Sequence, residues 1–175
     1  MNATIGYGLV LGALVCAAFG AIIGLVSGLR RNEAGSPWVM RSVWGSFACM
    51  AGSNLTMVYA LLTNDFSIKY VAQVGSRATP TVFKIVSLWS ALEGSILFWG
   101  VILASFVLAF ALAHRNEHKR YMSLALGSML GVGVFFSFLI AGPANPWHTV
   151  SPVPLDGPGP NPLLQNHILM VIHPP

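Results

Sequence analysis

The chain has 175 residues, 55% of them hydrophobic and only 8% charged, with nine Lys/Arg against five Asp/Glu and a mean hydropathy of +0.70. Soluble domains carry roughly 25% charged residues, so this composition excludes an ordinary water-soluble enzyme and a disordered tail. No basic stripe is present to bind nucleic acid, and the net charge of +4 belongs to loops between apolar segments.

The apolar segments follow from the gaps between charges. Residues 1–29 carry no charge, and 5–29 is almost wholly apolar. A helix needs roughly 20 such residues to cross a hydrocarbon core of about 30 Å. A cleaved signal peptide would begin with a basic region, whereas here Arg30 and Arg31 follow the apolar run, so it reads as a retained first span. Uncharged runs at 42–64, 94–113 and 121–141 supply three more. The expected fold is therefore all-α: a polytopic membrane protein with a four-span bundle over 1–141, an outer helical segment before span three, and a Pro-rich outer tail over 142–175.

Orientation follows from lysine and arginine. Arg30, Arg31 and Arg41 lie between spans one and two, and Arg115, Lys119 and Arg120 between spans three and four. Lys69, Arg77 and Lys84 oppose them, while the tail after Ala141 has no basic residue. Six against three places the basic loops in the cytoplasm and both the N-terminus and the tail outside.

The outer segment before span three has Pro80 at a helix-opening position. A helix running from there to Ala113 would be about 50 Å long. The expectation is an outer helical piece continuous, or slightly bent, with span three. Glu93 then falls near the outer surface, where an ionisable residue is either a structural partner or part of a site. The tail holds nine of the eleven prolines and turns apolar again before His173-Pro174-Pro175. Proline favours a first helical turn, so the ending reads as the start of a further span beyond Pro175.

Cys16 and Cys49 lie in apolar runs with no metal-binding spacing, and read as small packing residues. Of the five histidines, His114 and His118 sit in a basic loop, and His148, His167 and His173 in the tail. Imidazole ligates metals and haem iron, but spacing alone singles out none of them.

Several short motifs, read in order, carry more. They are Asn64-Asp65-Phe66-Ser67 with Tyr70-Val71-Ala72; Trp89, Glu93-Gly94-Ser95 and Trp99; Asn145-Pro146; Asp156-Gly157; Asn161-Pro162-Leu163-Leu164-Gln165; and Ile172-His173-Pro174-Pro175. Together they resemble the N-terminal part of the CcmF family, membrane haem lyases of cytochrome c maturation in the bacterial inner membrane. The resemblance implies covalent attachment of b-type haem to the CxxCH cysteines of apocytochrome c on the periplasmic face. It implies apocytochrome c, a haem-delivering chaperone and other maturation proteins as partners, with no nucleic acid. It also implies that His173 is an axial ligand of the haem iron. Asp65, Phe66, Trp89, Glu93, Gly94, Ser95, Asn161, Pro162, Gln165, Pro174 and Pro175 match family motifs without an assigned role. Leu92 stands where the family usually has histidine. The family's tryptophan-rich roof and second outer histidine are not in this stretch, so the chain alone is expected to be inactive. The competing readings are a four-helix membrane scaffold and an ion- or proton-translocating subunit using Glu93 and Lys84.

Overall fold

The computed structural model describes residues 1–30, 35–116, 118–161 and Val171. Six α-helices lie among them: α1 (Asn2–Leu29), α2 (Ser36–Thr63), α3 (Lys69–Val74), α4 (Thr81–Val86), α5 (Leu92–Ala113) and α6 (Lys119–Ala141). Four of these, α1, α2, α5 and α6, are long and apolar enough to cross a membrane. The shortest, at 22 residues, is about 33 Å long, sufficient for a core of about 30 Å. Val15, Ile22, Phe106 and Phe135 project outward, each more than half exposed, as lipid-facing side chains do. Of the four helices, α2, α5 and α6 begin before the uncharged stretches do. In α2, Pro37 falls in the first turn, where its missing N–H costs nothing, and Arg41 rides on the helix with its guanidinium 4.7 Å from the Trp38 ring.

The chain forms two compact units. One, the frame unit, comprises 1–8, 52–99 and 139–175; the other, the helical unit, comprises 9–51 and 100–138. Among the described residues every acidic side chain lies in the frame unit, and every charge in the helical unit is basic.

The helical unit is packed through missing side chains. Along α1 a small residue recurs every fourth position: Gly12, Cys16, Gly20, Gly24 and Gly28. Lipid tails are as apolar as leucine, so close backbone approach supplies the attraction between membrane helices. Gly12 lies against Cys49 of α2, and Gly45 of α2 lies against Cys16, so each thiol leans on the other helix's glycine. Both cysteines are free, and their thiols are within hydrogen-bonding reach of one another. A four-residue step overshoots one turn by about 40°, so the stripe winds around α1. By Gly24 and Gly28 it faces α6: a Cβ on Gly24 would meet the Ser123 carbonyl at 2.6 Å and the Gly127 Cα at 2.7 Å. A core of Val39, Val43, Val107, Leu126 and Leu130 fills the remainder. Arg120 closes one end, donating from Nε to the Gly28 carbonyl at 3.1 Å, a cation at the negative end of the α1 dipole.

In the frame unit the expected continuous helix from Pro80 does not form. The chain leaves α4 at Val86, makes a 3-10 turn over Ser87–Trp89, and re-enters helix at Leu92. The reason is local hydrogen-bond competition. The Ser87 hydroxyl donates to the Phe83 carbonyl, Ser90 to Ser87, and Ser95 to Trp89. Serine hydroxyls thereby take up carbonyls that helix continuation would otherwise satisfy.

Gly24→Leu is expected to destabilise the protein by about 1–3 kcal/mol through overpacking. Gly8→Ala, with no atom within 4 Å of its added Cβ, should be neutral or slightly stabilising. Unfolding by denaturant in detergent micelles distinguishes the two.

Candidate functional site

The motif residues fall in the frame unit, and most of them act as latches. At the end of α2, Asn64 takes the left-handed conformation, φ 54°, which asparagine tolerates better than most residues. The Asp65 N–H then bonds the Ala60 carbonyl at 2.9 Å and the Asn64 N–H bonds Leu61 at 3.3 Å, the pattern of a Schellman cap. The Asp65 carboxylate accepts from Asn2 Nδ2 at 2.9 Å and from the Ser67 hydroxyl and N–H. Partial burial pushes the Asp65 carboxyl up, but the Ser67 and Asn2 donors and the chain's amino terminus outweigh it, so it sits below the usual carboxylate range. Phe66 is buried under the Arg77 guanidinium.

Tyr70 on α3 occupies the break between α4 and α5. Its hydroxyl lies 2.8 Å from the Ser87 carbonyl and 2.9 Å from that of Leu88, donating into the pair. Burial above all, with the charge of Glu93 adding to it, raises the Tyr70 pKa and keeps that donor protonated. Gly94 makes this arrangement possible, since any Cβ there would strike the Leu88 carbonyl and the Tyr70 hydroxyl. Trp89 packs against Phe98 with centroids 4.8 Å apart and the ring planes tilted by 31°.

The described tail docks onto the same frame. Ile68 and Thr149 form an antiparallel bridge, with Lys69 N–H to the His148 carbonyl at 2.7 Å and Val150 N–H to Ser67 at 3.0 Å. Asp156 accepts from the N–H groups of Arg77 and Gly157, which hold its carboxyl below the usual range. Gly157 lies where a Cβ would meet the Gly75 and Ala72 carbonyls. Asn161 is exposed. Pro162, Gln165, His173, Pro174 and Pro175 lie outside the described residues.

One motif residue remains chemically open. Glu93, in the first turn of α5, lines a hollow of about 180 Å³ with Lys69, Gln73, Asn145 and His148. Asn145 and His148 also border a wider hollow of about 400 Å³, with Tyr7 and Trp147 on its wall. A carboxylate, an ammonium and an imidazole thus share one polar recess; nothing in their sequence spacing indicates it, because the bridge at Ile68 and Thr149 brings them together. Among the described residues no group of three or more His, Cys, Asp or Glu could hold a metal. Lys84, the other ionisable group of the ion-path reading, donates to Asn64 Oδ1 at 2.7 Å.

A frame unit and a helical unit, built on four membrane-length helices, make this a stretch of a multi-pass membrane protein. No protein-family model matches the chain. Curated relatives do. It is 33% identical over 166 residues to the cytochrome c-type biogenesis protein CcmF of Pseudomonas aeruginosa, covering 93% of this chain and 25% of that protein. It is 31% identical to CcmF of Escherichia coli over 93% of this chain and 26% of the relative. For the biogenesis protein NrfE of Haemophilus influenzae the identity is 30%, over 98% and 27%. A solved structure described as cytochrome c heme lyase CcmF superposes with a TM-score of 0.84 at 30% identity, covering 99% of this chain and 27% of that one. The chain belongs to the CcmF family of cytochrome c-type biogenesis proteins, and it spans about a quarter of the length of the curated relatives it matches.

Tyr70→Phe and Gly94→Ala are each expected to cost about 1–3 kcal/mol, by removing the side-chain donor from the Leu88 carbonyl and by overpacking respectively. Together they should cost less than their sum because they break one latch; denaturant unfolding of the two single variants and the double variant checks this. Because the carboxyl of Asp65 is lowered in the folded chain, its stabilisation is complete above the unfolded value of 3.8 and is lost as pH falls through the folded value. Thermal unfolding between pH 6 and pH 3 should therefore decline less steeply in Asp65→Asn than in the parent.

Proposed function

We propose that this chain is the N-terminal portion of a membrane haem lyase, which presents haem on the periplasmic side for attachment to the CxxCH cysteines of apocytochrome c. The observation that carries this reading is the match to CcmF over nearly the whole chain, in sequence and in fold together. In the proposed orientation the basic helix ends, with Arg30, Arg41, Arg115, Lys119 and Arg120, face the cytoplasm. The frame unit and tail then face the periplasm, with spans at about 5–29, 42–64, 94–113 and 121–141.

Haem, of the b type before attachment, is the substrate. Each thioether forms when a cysteine thiol adds across a vinyl group: sulfur bonds one vinyl carbon, the thiol proton goes to the other, and no net oxidation occurs. The chain's part is to position the haem. An axial imidazole from His173 fixes the porphyrin's orientation, so that its vinyl groups meet the two thiols. A haem-delivering chaperone and other maturation proteins complete the assembly.

Against the ion-path reading, Lys84 is engaged by Asn64 and Glu93 opens onto a recess of the frame unit.

In the complete protein, His173→Ala is expected to lose haem absorbance and cytochrome c maturation together. Retention of the full haem content by that variant would overturn the assignment.

A further inference from the structure

The recess at Glu93 has an unusual inventory for a structural pocket. Lys69, Gln73 and His148 are exposed and Glu93 is half-buried. Among the described residues none of the Lys69 ammonium, the Glu93 carboxylate and the His148 ring is tied up in a hydrogen bond within the frame. This contrasts with Asp65, Asp156 and Lys84, whose partners are all in place. The same unit therefore contains charged groups spent on architecture and charged groups left facing a hollow. An ammonium and a carboxamide converging on one small polar space are the groups that recognise a carboxylate. The adjoining hollow, with Tyr7 and Trp147 on its wall, offers a less polar continuation beyond Asn145 and His148.

We propose that the 180 Å³ recess receives a carboxylate arm of the tetrapyrrole, held by Lys69 with Gln73 and His148, while the ring edge extends over His148 towards the wider hollow. This deepens the haem-presenting reading and rests on it. The volume suits one propionate and is too small for the macrocycle. Glu93 supplies the counterweight. Its charge opposes a second carboxylate, and the Lys69 ammonium, with three donors, can bridge both. The recess is thereby tuned to hold an arm reversibly, as a protein that must release its haem with the finished cytochrome requires.

The electrostatic signature is specific. With the whole chain in lipid nanodiscs, titration with hemin followed by tryptophan quenching should give about tenfold weaker binding for Lys69→Gln, the loss of one charge-assisted contact. Glu93→Gln should bind about threefold tighter, the relief of a like charge within the same wet recess. Neither substitution should change binding of hemin dimethyl ester, which lacks the charged arms. Equal hemin affinity in Lys69→Gln and the parent, an equal loss with the ester, or no saturable hemin binding by the parent would each overturn the proposal. So would a short acidic peptide that shows the Lys69 dependence when hemin does not, which would assign the recess to polypeptide carboxylates. His173→Ala separates this proposal from the reading beneath it. Loss of imidazole ligation should alter the iron spectrum with hemin and ester alike, whereas the Lys69 effect reads the charged arms alone. An unaltered spectrum with the Lys69 effect intact would remove the His173 assignment and leave the recess.

Discussion

The frame unit depends on how the Tyr70 hydroxyl meets two backbone carbonyls. Breaking a helix inside a packed protein strands carbonyls that the next turn would have satisfied, and each one left bare costs about as much as a lost hydrogen bond. Tyr70 reaches the carbonyls of Ser87 and Leu88 from a separate segment, with room only because residue 94 has no side chain. The first turn of α5, and with it the carboxylate of Glu93, is set by that contact. The bridge between Ile68 and Thr149 then brings Lys69 and His148 to the same recess.

The helical unit solves a different problem. With no solvent to expel, its helices gain by approaching closely, and α1 exposes backbone along a winding stripe for that purpose. The winding explains how one helix serves two partners: Gly12 and Cys16 meet α2, whereas Gly24 and Gly28 meet α6. Hydrogen bonding organises one unit and shape complementarity the other.

Much of this architecture is legible from charge spacing. The four membrane-length helices follow from where charged residues are absent, since carrying a charge into the middle of the bilayer is expensive. The small-residue stripe on α1 is likewise written in the chain, but periodicity does not say which helix it faces. The interruption at Ser87–Trp89 is only partly local: Thr81 to Ala113 contains no proline, the Ser87, Ser90 and Ser95 hydroxyls that take up its carbonyls lie in the segment, and Tyr70, which also meets them, lies far back in the chain. Motif residues such as Asp65, Gly94 and Asp156 stand out as a family signature, yet their work here is to cap, to make room and to dock. Lys69 and His148 cannot be recognised as site residues from the chain alone, because they are 79 positions apart and meet only after folding.

The contact from Arg120 to the carbonyl of Gly28 bears on how membrane topology is encoded. The same guanidinium that weighs in the distribution of cationic residues across the bilayer also neutralises a helix terminus. In the proposed orientation one side chain thus serves both the charge distribution and the end of α1. Relocating that charge would also remove the contact that caps the end of the first helix.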